Sequence, residues 1–473
     1  MRLGIIIVTV IYIAVNLVLG LWKLRKSTYE QFVAAPSTIN KYAITMSLCG
    51  TVIGGGMFFT VAQMGFEAGF AVLALPGAYF LGYLLMSFAT PIIRQTMASS
   101  GANTLYDLIG FRLVQGGIWT PIYKAFLSVV TLGMYFFMLA AQFTIIANFF
   151  VYSLGVSSTN AWLLSIFVIG GTTLIYSVAG GIRKDIFMDV FHVVIVFAGL
   201  IVLLAAMLFG HSLSLSNAPS SHFSFIGYGA LFPIGILLFF SPSFLGRYDY
   251  WQRIIAAKST KEARFALWFS LPMITIAYII CCFIGIYAKS QASNINSGNA
   301  AVWFIQNALS PGMSLVVTLA LYAALMATSD TLLNVSSVSA TSLVATIMPR
   351  YASVIKSIGS IRAVTILIGL SASVLVLLAA DTVDLVIGGF SSLVILTPGI
   401  LFVLKGRRPF AIAPCISLIS GYLTFLVAFI IDAESRKYAF IIGFLVACLS
   451  LTVTILIVHL ISSKSREMKL ANR

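Results

Sequence analysis

The chain has 473 residues, of which 60% are hydrophobic and only 9% are charged. Soluble domains carry about 25% charged residues, so this composition excludes both a soluble globular protein and a disordered one. Solid apolar runs of around 20 residues argue against an outer-membrane barrel and favour a bundle of membrane-spanning helices. In such a bundle the net charge of +15 indicates basic cytoplasmic loops rather than nucleic-acid binding.

Apolar runs predict thirteen membrane-spanning helices. Their approximate bounds are 3–22, 42–62, 68–93, 120–152, 160–180, 186–210, 226–246, 266–288, 312–346, 363–380, 384–404, 411–431 and 439–461. With the N-terminus outside, 24 of the 28 Lys and Arg residues fall in cytoplasmic segments. Because cytoplasmic loops collect basic residues, we expect a multi-pass protein of the cell (inner or plasma) membrane with its C-terminus in the cytoplasm.

Helix-breaking residues interrupt two of the predicted spans. The second span carries the glycine-rich run Gly50–Gly56, and the seventh carries Ser241-Pro242-Ser243. Glycine is poor in a helix interior and proline removes a backbone donor, so we expect unwound backbone near Gly54 and Pro242. Unwound backbone within a membrane must face protein or a watery cavity, and paired breaks of this kind indicate a transporter binding site.

The two breaks lie five spans apart, which predicts two inverted five-helix repeats in an all-α membrane protein. Residues 39–225 form the first repeat and residues 226–408 the second. Residues 1–38 add an N-terminal helix and a cytoplasmic linker, and residues 409–473 add two helices and a short tail.

Ionisable residues within spans are costly and usually functional. Thr328 lies near the midplane of the ninth span, and Asp330 and Thr331 follow it. A hydroxyl with nearby carbonyl oxygens is the ligand set that a hard cation such as sodium prefers. In the sixth span we expect Asp185 at the inner interface and Asp189 one turn deeper, beside a water-filled route.

Several other features predict no catalytic or metal chemistry. Residues 247–264 mix basic, acidic and aromatic side chains, which is typical of an interfacial cytoplasmic helix without substrate contacts. The histidines occur singly and the cysteines lack ligand spacing, so we expect no transition-metal site. The sequence shows no nucleophile–base pair and no nucleotide-binding motif, so we expect neither an enzyme nor an ATP-driven pump.

Four motifs resemble those of the sodium:solute symporter family, which contains proline, pantothenate, sialic acid and sugar carriers. They are Gly50-Thr51-Val52-Ile53-Gly54-Gly55-Gly56, Gly180-Gly181 with Asp189, Gln252-Arg253 through Ala256-Ala257-Lys258 to Ala263-Arg264, and Met326-Ala327-Thr328-Ser329-Asp330-Thr331. The resemblance covers essentially the whole chain. It implies the leucine-transporter-type fold and sodium-coupled symport by alternating access.

The resemblance also implies a sodium site between spans two and nine. Its ligands would be the backbone oxygens of Gly50, Ile53 and Ala324 and the hydroxyl of Thr328. The family usually has serine directly before Thr328, where this chain has Ala327, so one hydroxyl ligand is missing. Some relatives hold a further cation nearby, which makes a second cation or proton site possible at Asp189, Asp330 and Thr331.

The solute is expected at the midplane between the two breaks. Its predicted contacts are Gly54, Gly55, Gly56, Met57, Gln142, Ser241 and Ser243. Ser243-Phe244 stands where sugar carriers have a Tyr-Trp pair, which disfavours a sugar. Exposed backbone donors at a broken helix suit a small organic solute such as an amino acid or a carboxylate. Membrane lipid is the other expected partner, and nucleic acid is not expected.

Two alternatives to a sodium-coupled symporter stay open. The first is a proton-coupled symporter of the same fold, which the missing hydroxyl at Ala327 favours and which would use Asp189 or Asp330. The second, from a different class, is a transporter-like membrane sensor of solute. Such sensors normally carry an appended signalling domain, and only about a dozen residues follow the thirteenth span.

Overall fold

The computed structural model describes residues 2–22, 27–114, 117–209, 215–376, 382–406, 409–431 and 433–471. All regular elements in these ranges are helices, as the composition predicts. The first ten are α1 (Arg2–Leu21), α2 (Tyr29–Val33), α3 (Lys41–Val52), α4 (Gly55–Ala68), α5 (Ala74–Ser100), α6 (Leu105–Arg112), α7 (Trp119–Leu154), α8 (Ser158–Ser165), α9 (Thr172–Phe209) and α10 (Leu231–Gly235). The others are α11 (Ser241–Ser243), α12 (Tyr248–Ala256), α13 (Thr260–Gln291), α14 (Ala300–Asn307), α15 (Pro311–Ile347), α16 (Ala352–Ile355), α17 (Ile358–Val376), α18 (Thr382–Lys405), α19 (Ile412–Ile431) and α20 (Ala433–Ala471).

Eight helical stretches in the described part of the chain are long and apolar enough to cross a membrane. The number rises to ten when each of two bent helix pairs counts as one span. The chain is therefore a multi-pass membrane protein. Thirteen crossings stay a prediction.

The first predicted break is confirmed. Helix α3 ends at Val52 and α4 begins at Gly55, and Ile53 leaves the helical conformation with φ −81° and ψ 54°. Gly54 is extended, with φ −89° and ψ 172°, so the backbone is unwound between two short helices.

The second break lies further along the chain than predicted. The chain stays helical through Pro242, and it bends by 53° between residues 231–246 and α12. Pro242 is accommodated because the preceding turn, Ile236–Phe240, is a wider π-helix and because Ser241 and Ser243 donate hydrogen bonds to the carbonyls of Leu237 and Phe240. The extended residue is Arg247, with ψ 98°.

The helix after this break, α12, is buried within the protein at every residue. Its interfacial position on the cytoplasmic side stays a prediction. Its aromatic and charged side chains find partners on neighbouring helices, and the sequence pattern of α12 alone does not reveal those partners. The helix end contacts the start of α3 through a bridge between Ile39 and Ala257.

A third irregularity separates the fifth and sixth predicted spans. Helix α9 kinks at Gly181, where φ is 58°. A Cβ atom at this position would lie 2.5 Å from the carbonyl oxygen of Phe32, so only glycine fits. The kink turns the second half of α9 toward α3 and α15. Helix α15 is buried along most of its length and packs against α3, α7 and α9. The candidate site lies where these helices meet.

Candidate functional site

The predicted sodium ligands of α3 and α15 converge at the first break. The hydroxyl of Thr328 lies 3.4 Å from the carbonyl oxygen of Gly50 and 3.1 Å from that of Ala324. Oxygens at right angles around a hard cation with bonds of about 2.4 Å also lie about 3.4 Å apart. Ile53 and Ala324 also line a small cavity of about 20 Å³, whose other walls are apolar. A hydroxyl and two carbonyl oxygens at this spacing are ligand types that a small hard cation prefers.

Glycine at the first break is what allows this approach. A Cβ atom on Gly54 would lie 1.8 Å from the Thr328 hydroxyl, and one on Gly55 would lie 2.2 Å from a methyl carbon of Leu325. Any larger residue would force the side chains of Thr328 and Leu325, or α15 itself, to shift. The glycines thus bring backbone oxygens within reach of Thr328 as well as unwinding the helix.

A buried polar cluster lies directly behind the sodium ligands. Asp189 on α9 accepts a hydrogen bond of 2.5 Å from Ser47 and lies 3.6 Å from the guanidinium of Arg253 on α12. Arg253 also donates to the hydroxyl of Thr331 at 2.6 Å. The second carboxylate oxygen of Asp189 is buried without a hydrogen-bond partner, and it lies 3.1 Å from the Cβ position of Gly50.

Asp330 belongs to the same cluster. Its carboxylate accepts from the backbone amide of Thr331 at 2.6 Å and from the phenol of Tyr176 at 3.0 Å. The structure therefore brings together Asp189, Asp330 and Thr331, which the sequence suggested as a second cation or proton site. Arg253 links Asp189 to Thr331, and the amide of Thr331 bonds to Asp330.

His192 joins the two carboxylates, which the scattered histidines did not predict. Ligand atoms of Asp189, His192 and Asp330 all lie within 4.8 Å of one another. One ring nitrogen of His192 lies 2.7 Å from the side-chain oxygen of Asn16 on α1, and the other is buried without a hydrogen-bond partner. The N-terminal helix therefore contributes to the cluster, whereas the sequence predicted only an additional helix there.

The charges of this cluster do not balance when all groups are ionised. Asp185 is also buried, held by Ser177 at 3.0 Å, and its position at the inner interface stays a prediction. Asp185, Asp189 and Asp330 interact electrostatically with one another, and Arg253 is the positive side chain among them. Unbalanced charge in a membrane interior is costly, so this cluster favours a bound cation or proton.

The predicted solute contacts fall into two groups. Gln142 on α7 accepts a hydrogen bond of 3.2 Å from the backbone amide of Gly56, so it lies at the first break beside Gly54, Gly55 and Met57. Ser241 and Ser243 are buried, but their hydroxyls bond to carbonyls of their own helix. The two serines therefore stay predictions, and they lie before the second break rather than in it.

Comparison with known proteins identifies the family of the chain. Residues 32–404 match the model of the sodium:solute symporter family. Two curated proteins match in part: solute carrier family 5 member 4 of Rattus norvegicus, 28% identical over 201 residues, and sodium/glucose cotransporter 4 of Mus musculus, 27% identical over 205 residues. Each match covers 42% of this chain and 28% of the relative, so the chain matches well under half of the length of these relatives.

Two solved structures share the fold at low sequence identity. A Na⁺-coupled sialic acid symporter, solved in a substrate-bound outward-open state, superposes with a TM-score of 0.74 and 15% identity, over 95% of this chain and 97% of that one. Mhp1, a nucleobase-cation-symport-1 family transporter in a closed conformation, superposes with a TM-score of 0.56 and 15% identity, over 89% and 93%.

The family and the fold are those of membrane transporters rather than of enzymes. The chain belongs to the sodium:solute symporter family, as its motifs indicate.

Proposed function

We propose that this protein is a secondary active transporter that couples a sodium gradient to the uptake of a small organic solute by alternating access. The observation that carries the proposal is the approach of the Thr328 hydroxyl to the carbonyl oxygens of Gly50 and Ala324 across the first break. Backbone and hydroxyl oxygens are the ligands that a hard monovalent cation accepts. The family and the sodium-coupled structural relative support the same reading.

A second cation or a proton at Asp189, Asp330 and Thr331 is part of this proposal. The carboxylate oxygen of Asp189 that has no hydrogen-bond partner faces Gly50. The carbonyl oxygen of Gly50 is one of the proposed sodium ligands, so the proposed second site is adjacent to the proposed sodium site. An ion that leaves the proposed sodium site toward the cytoplasm would meet Asp189 next. The excess of buried carboxylates over Arg253 favours positive charge there, and a proton would satisfy it as well as sodium.

The proposed topology has thirteen crossings with the N-terminus outside. The stretches Gly55–Ser100 and Thr159–Phe209 have 46 and 51 residues, while one crossing needs about 20, so each has the length of two. Counting these twice, and adding the two bent pairs and the shorter helix at Leu393–Lys405, gives thirteen. Lys261→Cys and Ser293→Cys, at opposite ends of α13, should be labelled from the inside and the outside respectively. Labelling of both from one side would contradict this orientation.

Uptake into proteoliposomes tests the coupling ion. Vesicles are prepared with an inward gradient of sodium, of protons, or of neither, and are given labelled solutes in mixtures. We expect accumulation only with the sodium gradient, and it should collapse when an ionophore dissipates that gradient. Accumulation with a proton gradient in the absence of sodium would show that the coupling ion is a proton rather than sodium. Failure of both gradients, with solute binding retained, would favour the sensor.

Asp189→Asn tests the proposed second cation or proton site. The variant keeps the size of the side chain and removes its charge, so we expect sodium-coupled turnover several-fold slower and solute binding from outside largely retained. Transport must be normalised to the amount of protein in the vesicles, because a purely structural role would lower that amount instead. Unchanged turnover per molecule would exclude Asp189 from coupling.

A further inference from the structure

The second break carries a buried ion pair. Arg247, the extended residue at the break, donates to both carboxylate oxygens of Asp249, at 2.6 and 3.3 Å. Their side chains are 3% and 1% exposed. Removing two charges from water costs several kcal/mol each, and their mutual attraction often fails to recover that cost. A pair of this kind at a break in a transporter helix therefore indicates a functional role.

Aromatic rings enclose the pair. The guanidinium of Arg247 lies 4.5 Å from the ring centre of Tyr250 and 5.5 Å from that of Phe244. Tyr79 and Tyr83 of α5 pack edge-on against Phe244, at 5.0 and 5.7 Å. Faces of aromatic rings attract cations, so this enclosure already holds one positive group.

Helix α7 connects this enclosure to the first break. The phenol of Tyr135 donates to the carboxylate of Asp249, and Gln142 on the same helix accepts from Gly56. Residues seven apart lie on the same face of a helix, about 10.5 Å apart along its axis. One face of α7 therefore meets both breaks, with one polar side chain at each, and both polar side chains are buried.

We propose that Arg247 and Asp249 recognise a zwitterionic solute, one that carries both a carboxylate and an ammonium group. The forked guanidinium of Arg247 matches a carboxylate in two hydrogen bonds, and the start of α12 adds a favourable dipole. The ammonium group of the solute meets the carboxylate of Asp249 and the faces of Tyr250 and Phe244. In the absence of solute the two side chains pair with each other.

Charge balance distinguishes this solute from the alternatives. A zwitterion exchanges one internal ion pair for two, so no buried charge is left without a partner. A carboxylate without an amine would take Arg247 and leave Asp249 unpaired beside it. A sugar supplies no charge for either group, so separating them would be unfavourable.

The inference rests on the proposed transport function, and ligand-induced thermal stabilisation of the purified full-length protein separates the two. The panel contains the common α-amino acids and glycine betaine, each amino acid matched with its deaminated acid and its decarboxylated amine, together with glucose. All are measured with and without sodium. A solute that binds the folded state raises the unfolding temperature.

We expect at least one zwitterion to raise the unfolding temperature in sodium, with its matched acid, its matched amine and glucose inactive at the same concentration. Arg247→Lys keeps the charge but loses the fork, so it should weaken zwitterion binding at least tenfold while stabilisation by sodium alone is retained. Tyr135→Phe removes one donor to Asp249 and should weaken binding several-fold.

Asp107→Asn is the matched control. Asp107 also joins two elements, through Lys124 at 3.0 Å and Lys356 at 2.8 Å. Its carboxylate bonds to these lysines rather than to Arg247 or Asp249, so zwitterion binding should not change, although the neighbouring Tyr106 packs against Tyr248 of α12. The zwitterion site would be overturned if only glucose or only a carboxylic acid stabilised the protein. It would also be overturned if no member of the panel stabilised the protein while sodium did. Neither result would contradict the proposed function. If sodium itself has no effect on the unfolding temperature, the proposed sodium site fails instead.

Discussion

The break between α3 and α4 contains no charged residue, whereas the break before α12 contains Arg247 and, two residues later, Asp249. The first break is formed by glycines and lies against the neutral hydroxyl of Thr328. The second is held by an ion pair and by aromatic rings from α5 and by Tyr135 of α7. Neutral oxygens suit a bare cation, while a forked cation beside a carboxylate suits a charged organic group. The two breaks of one fold therefore present different ligands.

The largest expected effect concerns the charges of the second break. Asp249→Ala leaves Arg247 buried without its carboxylate, so we expect the free energy of unfolding to fall by about 3–5 kcal/mol. Chemical denaturation of the detergent-solubilised protein measures this loss. A double variant, Arg247→Met with Asp249→Leu, replaces the pair by apolar groups and should recover most of the stability. If Asp249→Ala were as stable as the parent protein, Arg247 and Asp249 could not be a buried pair of charges.

The double variant also sharpens the comparison between the breaks. Because it restores stability but not charge, it should abolish binding of zwitterions while sodium still stabilises the protein. Retained zwitterion binding would mean that the second break is charged for structural reasons only.

The next effect concerns the close approach at the first break. Gly54→Ala would place a carbon atom 1.8 Å from the Thr328 hydroxyl, so the Thr328 side chain or α15 must shift and the free energy of unfolding should fall by about 1–3 kcal/mol. Gly133→Ala, on α7 with nothing within 4 Å of the new carbon, is the control and should be neutral or slightly stabilising. Gly55→Ala should also destabilise the protein, because its new carbon atom would meet a methyl group of Leu325. Adding Leu325→Ala removes that methyl group, so the double variant should recover part of the lost stability. Equal stability of the Gly54 and Gly133 variants would contradict the packing described here.

The smallest effect concerns the hydroxyls of the first break. Thr328→Ala removes the side-chain ligand of the sodium set, so the sodium concentration for half-maximal uptake should rise about tenfold, or about 1.4 kcal/mol. Ala327→Ser restores a hydroxyl that the family usually has and should lower that concentration a few-fold. Solute uptake measured across a series of sodium concentrations tests both. If neither variant changes the sodium dependence, the sodium site lies elsewhere.

The glycines at Gly54–Gly56 and the hydroxyl of Thr328 could be identified from the sequence because their roles depend on local properties. Glycine weakens a helix wherever it stands, and a hydroxyl in an apolar span is conspicuous against its neighbours. The first break, the apolar helices and the family were predicted correctly. The second cation or proton site at Asp189, Asp330 and Thr331 stays a proposal. The sodium ligands themselves stay a proposal.

Only the tertiary structure decided the second break and the partners of the buried charges. Pro242 has the stronger local signal, but the π-helix before it and two serine hydroxyls keep the chain helical, so the break moves to Arg247. Arg247 and Arg253 read as interfacial residues from their neighbours in sequence. They are buried because Asp249, bonded to Tyr135 of α7, and Asp189 of α9 supply opposite charge, and such pairings between distant segments leave no periodic pattern in the chain.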